Sequence, residues 1–188
     1  NSGALYVAGS NKRLHVLNID DYYLYFMVSS DNDSLIKSLV VNDEYAIFAT
    51  ESGNIGRIPA RMKTLKWQTD IADGIAADVV EDNGELYVSS LDMKLYNLDV
   101  VKGLHIWESP FQTGQPLDTS ARVGKDVIYQ YAGKEGLYAI DRKTGKQKWN
   151  HPKGFDLLTE QDTRAYLIGE PSMLIVMDNV KNKPVYSI

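Results

Sequence analysis

Three carboxylates recur along the chain at nearly even spacing, Asp78, Asp118 and Asp156, with Glu160 close to the last. Paired carboxyls about 5–9 Å apart can act as acid and base, or acid and nucleophile, on a glycosidic bond. Asp78 and Asp118 are therefore the candidate catalytic pair of a channel-site hydrolase. No flanking motif supports that chemistry, and polar inner strands also occur simply because a channel is wet. His15, His105 and His151 are the only histidines. They fall on outer strands of different repeat units and are not expected to converge on one metal. Asp31-Asn32-Asp33-Ser34 has the opening of a calcium loop. It lacks the following Gly and the distal Glu at the required spacing, so a polar loop is the better reading. No metal and no cofactor is expected. There is no phosphate-cradling Gly-rich loop and no Gly-x-Ser-x-Gly elbow.

The elements that would position these residues come from a repeat. Leu137-Tyr138-Ala139-Ile140-Asp141 leads through Thr144-Gly145 to Trp149. Leu95-Tyr96-Asn97-Leu98-Asp99 leads through Gly103 to Trp107 in the same order, 42 residues earlier. Trp67 lies 40 residues before Trp107, and Phe26 lies 41 before Trp67. Tyr186 takes the aromatic place 37 after Trp149, preceded by Asp178 and Asn182. Five aromatics thus mark five units, approximately 1–30, 31–71, 72–112, 113–153 and 154–188.

Each part of the pattern has a physical use. Asp accepts hydrogen bonds from turn amides a few residues on. Gly, or Asn as second choice, enters a left-handed turn position. The aromatic buries a large area between sheets, and an indole N–H can find an acceptor there. The expected structural docking residues are Phe26, Trp67, Asp99, Gly103, Trp107, Asp141, Gly145, Trp149, Asp178 and Tyr186.

Further strands precede each motif. One set is Leu5–Val7, Tyr45–Phe48, Leu86–Val88, Val127–Tyr129 and Tyr166–Ile168. An earlier set is Leu35–Val41, Ile75–Val80, Leu117–Val123 and Asp156–Thr159. Four short strands per roughly 40 residues is the signature of an all-β propeller blade.

The unit Ala139, Asp141, Thr144, Gly145, Trp149 resembles the Ala-x-Asp-x-x-Thr-Gly-x-x-x-Trp docking motif of the PQQ-like repeat family. That group joins the quinoprotein alcohol dehydrogenases to the envelope protein BamB. The resemblance covers nearly the whole chain as repeats. It is complete at Trp149, strong at Trp107 and weaker elsewhere. It implies a β-propeller of about five four-stranded blades, with a motif that docks blade on blade and touches no cofactor. It also implies a binding or scaffolding role for a protein or peptide partner in the cell envelope, periplasm or extracellular space. Quinone-dependent dehydrogenation would ask for a vicinal disulfide, a calcium site and a much longer chain.

On the family's strand order the first blade lacks its inner strand. Closure hides apolar faces and strand edges, so the reading leans to a five-bladed ring with an incomplete first blade. An arc of a seven- or eight-bladed ring is the alternative. The first residue is Asn1, not Met, which leaves room for a leader or further sequence ahead of it.

Composition bounds the partner. The net charge of -5 argues against nucleic acid, which needs a concentrated basic face. No apolar run reaches the ~18 residues of a membrane-spanning helix. Cysteine is absent, which excludes disulfides, thiolate metal sites and cysteine nucleophiles. The cluster Arg142, Lys143, Lys146, Lys148 reads as a solvated hairpin. Tyr22, Tyr23, Met62, Met93, Phe111 and Phe155 are the candidate loop contacts for a partner, with packing between blades the commoner role for residues of this kind.

Overall fold

The computed structural model describes residues 3–30, 32–60, 62–71 and 73–187. Alternating apolar residues, broken by Gly, Asn and Asp turns, fold the chain into five antiparallel sheets taken in chain order. The first has three strands, β1 (Ala4–Ala8), β2 (Arg13–Asn18) and β3 (Leu24–Ser29). The second contains β4 (Ile36–Val41), β5 (Tyr45–Thr50), β6 (Asn54–Pro59) and β7 (Trp67–Asp70). The third contains β8 (Val80–Asp82), β9 (Glu85–Ser89), β10 (Lys94–Asp99) and β11 (Phe111–Gln112). The fourth contains β12 (Arg122–Val123), β13 (Val127–Tyr131), β14 (Leu137–Asp141) and β15 (Gln147–His151). The fifth contains β16 (Gly154–Gln161), β17 (Arg164–Gly169), β18 (Met173–Asp178) and β19 (Lys183–Ser187).

The all-β propeller architecture is thus as the repeat implies, with an incomplete first blade. Two details differ. The inner strands of the third and fourth sheets are short, at three and two residues. Ile75, Ala77, Val79, Leu117 and Ala121 are buried as expected, but from irregular segments ahead of β8 and β12. Ile75, Val79, Leu117 and Ala121 plug the wedges between sheets instead of lengthening the ladder. Trp107 also lies outside a strand, in a bend ahead of β11. Pro110 follows it and has no N–H for the ladder.

Each of the three middle sheets packs an apolar face on both sides. In β5, Ala46 and Phe48 join Tyr6, Leu14, Val16 and Val28 of the first sheet, with Ile58 of β6. Tyr45, Ile47 and Ala49 of the same strand face the third sheet, packing with Leu86, Val88, Tyr96 and Leu98. A third core joins Tyr87, Leu95 and Trp107 to Ile128, Ala132 and Ile140. A fourth joins Tyr129, Ala139 and Trp149 to Ala165, Leu167, Ile175 and Met177.

Among the described residues, these cores join successive sheets, and none joins the fifth sheet to the first. The described cores thus run in series from the first sheet to the fifth, the arrangement of the arc alternative. Val7 on the outward face of the first sheet and Tyr186 on the last remain 40 % and 45 % exposed. A repeat period counts sheets but does not give the angle between them. That angle is set by the bulk of the side chains filling each wedge.

Candidate functional site

Two constellations stand out, one between sheets and one on the inner rim. The first begins in the turns after β10, β14 and β18. Asp141 Oδ1 accepts the Thr144 amide at 2.8 Å and the Thr144 hydroxyl at 2.7 Å. Burial pushes the Asp141 carboxyl up, but the Thr144 hydrogen bonds outweigh it and hold the group below the usual carboxylate range. Asp99 Oδ1 accepts the Lys102 amide at 2.7 Å. Asp178 Oδ1 accepts the amides of Val180 and Lys181, both at 2.9 Å. These turns carry Gly103 and Gly145 at φ +70° and Asn182 at φ +56°.

The aromatics of one sheet reach the turn of the next. Trp67 Nε1 donates to the Val100 carbonyl at 2.8 Å, and Trp107 Nε1 donates to the Arg142 carbonyl at 2.8 Å. Trp149 Nε1 donates to Asn179 Oδ1 at 3.0 Å. The glycines lie under the rings. A Cβ at Gly103 would come within 2.5 Å of the Trp67 indole, and one at Gly145 within 2.6 Å of the Trp107 indole. Phe26 is half-buried in the first core, whereas Tyr186 stands on the last sheet with its ring half exposed.

The sequence reading missed the polar network beside these rings. Arg142 is not part of a solvated hairpin. It pairs with Asp82 at 2.7 Å and Glu85 at 3.4 Å in the preceding sheet. Its guanidinium lies 5.8 Å from the Tyr87 ring centre. Burial pushes the Tyr87 phenol up, and its hydrogen bond to Glu85 adds to this. In the next wedge, Tyr129 donates to Glu160, and Asn179 Nδ2 donates to the Tyr129 hydroxyl at 2.7 Å. The available signal was the recurrence of tyrosine at 45, 87 and 129, a constant 42-residue step.

The second constellation is a cavity of about 560 Å³ on the inner rim. Lys37, Asp78, Asp118 and Asp156 line it together. Their spacings of 41, 40 and 38 residues place one charged side chain from each of four successive units. Asp156 is already engaged: Arg122 grips it through Nε at 2.9 Å and Nη2 at 3.0 Å. That bidentate bond raises the Arg122 guanidinium above its ordinary value. Asp78 and Asp118 are exposed, and neither makes a side-chain hydrogen bond or ion pair with a described residue. Tyr131 and Phe155 supply an edge-to-face pair with centroids 6.2 Å apart. Glu160 is diverted into the Tyr129–Asn179 network.

The remaining sequence candidates are dispersed. His15 contacts Asn11 at 3.0 Å, and His105 lies against Tyr96 at 5.7 Å. His151 closes β15, where burial lowers its pKa. Among the described residues no group of three or more His, Cys, Asp or Glu is placed to hold a metal. Asp31, which opens the acidic loop, lies outside the described residues, and Asp33 pairs with Lys12 at 3.3 Å. Tyr22, Tyr23, Met62, Met93 and Phe155 are exposed. Phe111 is not: it is buried edge-on against Tyr138 at 5.3 Å, because β11 closes over the third wedge.

A family profile described as outer membrane protein assembly factor BamB matches residues 51–180. The chain belongs to this PQQ-like, BamB-like family. BamB from Moraxella catarrhalis has a similar fold, with TM-score 0.72 and 15 % identity. The match covers 100 % of this chain and 62 % of that one. The computationally designed Ika8 protein is similar at TM-score 0.74 and 11 % identity, over 99 % of this chain and 58 % of its own. The BamB-like chain therefore spans about three fifths of the solved structures it matches. No curated protein sequence matches it. Among the described residues no helix is long and apolar enough to cross a membrane, a statement that leaves strand-built crossings aside.

Proposed function

We propose that the protein is a non-catalytic binding scaffold that offers a propeller face to a protein or peptide partner. Membership in the BamB-like family supports a protein-interaction propeller. The observation that carries the reading is a division of labour in the structure. Dry cores fix the sheets, while exposed residues such as Tyr22 and Tyr23, between β2 and β3, and Met93, ahead of β10, sit on the loops between strands. Loops on a rigid frame are where recognition residues concentrate. The Asp, Gly and aromatic residues of the repeat then serve to dock sheet on sheet. The family likeness favours an envelope setting, and protein partners over nucleic acid.

The competing reading is a hydrolase using Asp78 and Asp118. Nothing in the rim cavity favours it: both carboxylates are open to solvent, and Asp156 is held by Arg122. A glycoside-hydrolysis screen of the wild-type chain, Asp78→Asn and Asp118→Asn separates the two. No turnover above the Asn variants is expected. Turnover by the wild type that either substitution abolishes overturns the scaffold reading.

A further inference from the structure

We infer that the inner-rim cavity is a recognition site for a lysine or arginine side chain on an extended peptide. This deepens the scaffold reading and rests on it. The cavity volume of about 560 Å³ suits one or two side chains with adjoining backbone. Its charges are ordered along the series of sheets. Lys37 stands at the second sheet, and Asp78 and Asp118 stand in the segments entering the third and fourth. The fifth sheet's Asp156 is satisfied by Arg122 through two hydrogen bonds. The uncompensated charge is therefore negative and centred on Asp78 and Asp118, with one positive end at Lys37.

The wall beside it is not purely acidic. Phe155 is 41 % exposed and packs edge-on against Tyr131. An aromatic face next to two unpaired carboxylates receives both parts of a long cationic side chain. The methylene stem lies on the ring and the charged head meets the carboxylates. An anion is repelled by the two carboxylates, and a neutral sugar forgoes the charge pairing that a cationic head makes with them. Lys37 adds direction: a peptide whose cation sits over Asp78 and Asp118 places any acidic neighbour toward the second sheet.

The test is a titration of a capped Gly-Ala-Lys-Ala-Gly peptide into the isotopically labelled chain, followed by NMR. The norleucine analogue is the uncharged control. Shifts are expected at Asp78, Asp118 and Phe155 for the lysine peptide, and none for the analogue. Affinity should fall about fivefold or more in Asp78→Asn/Asp118→Asn and weaken with salt, because exposed charge pairs are screened. Phe155→Ala should weaken it further. Lys37→Gln should strengthen it, since it removes a repelling charge, and an unfolded variant cannot mimic that opposite sign. Equal binding of both peptides, or lysine-peptide shifts indifferent to the Asp78/Asp118 double change, overturns the site. Selection from a displayed random decapeptide library separates the two readings. Enriched peptides that are not basic, or that bind away from Asp78 and Asp118, overturn the site and keep the scaffold. A library yielding no binder counts against both.

Discussion

Gly145→Ala is expected to destabilise the chain by about 3 kcal/mol, combining the left-handed backbone penalty with overpacking. Gly145 has φ +70° and would drive its new Cβ to within 2.6 Å of the Trp107 indole. The ring is anchored to the same turn by its hydrogen bond to the Arg142 carbonyl and cannot slide away without breaking it. Gly84 provides the internal control. It too is left-handed, at φ +82°, but a Cβ added there would meet nothing within 4 Å. Gly84→Ala should therefore cost only about 1 kcal/mol, the backbone share alone. Urea unfolding of both variants gives the difference. Equal losses would mean that the indole does not press on the turn.

Trp107→Ala should cost about 3–5 kcal/mol, the range for removing a large buried aromatic. Trp107 is 3 % exposed and packs among Tyr87, Leu95, Leu117 and Ile128. Its ring lies 6.1 Å from Tyr87, which itself leans on Glu85 and Arg142. Trp107→Phe keeps most of the packing but leaves the Arg142 carbonyl without its indole donor. That change should cost about 1–2 kcal/mol, the value of one lost buried hydrogen bond. The two losses, measured by thermal or urea unfolding, separate ring from donor. A Phe variant as damaging as the Ala variant would place the energy in the hydrogen bond and not in the packing.

Much of this arrangement is legible in the residues. The constant step from Leu95–Trp107 to Leu137–Trp149 marks the repeat, because every sheet must solve the same docking problem with the same parts. Strand positions such as Tyr45–Phe48 and Val127–Tyr129 follow from short continuous apolar runs, buried on both faces. What the sequence hides are the choices made between sheets. Arg142 reads as a surface cation until the fold brings Asp82 and Glu85 beside it from 60 and 57 residues away. Phe111 reads as a loop aromatic until Tyr138 arrives from the next sheet. The choice between ring and arc is hidden for the same reason, since the wedge angle belongs to packing and not to period. The rim cavity is half legible: the spacing of Asp78 and Asp118 is visible in the sequence, but the Arg122 clamp on Asp156 is not.

The central structural claim is that an aromatic of one sheet is anchored in the turn of the next. The chain has three tryptophans, and each indole N–H reports on a different wedge. Hydrogen exchange of the three indole N–H groups, read by NMR, tests the claim most directly. All three are predicted to be protected, with Trp107 and Trp149 the slowest because they are 3 % and 5 % exposed. Exchange of Trp107 or Trp149 at the rate of a free indole would contradict the account.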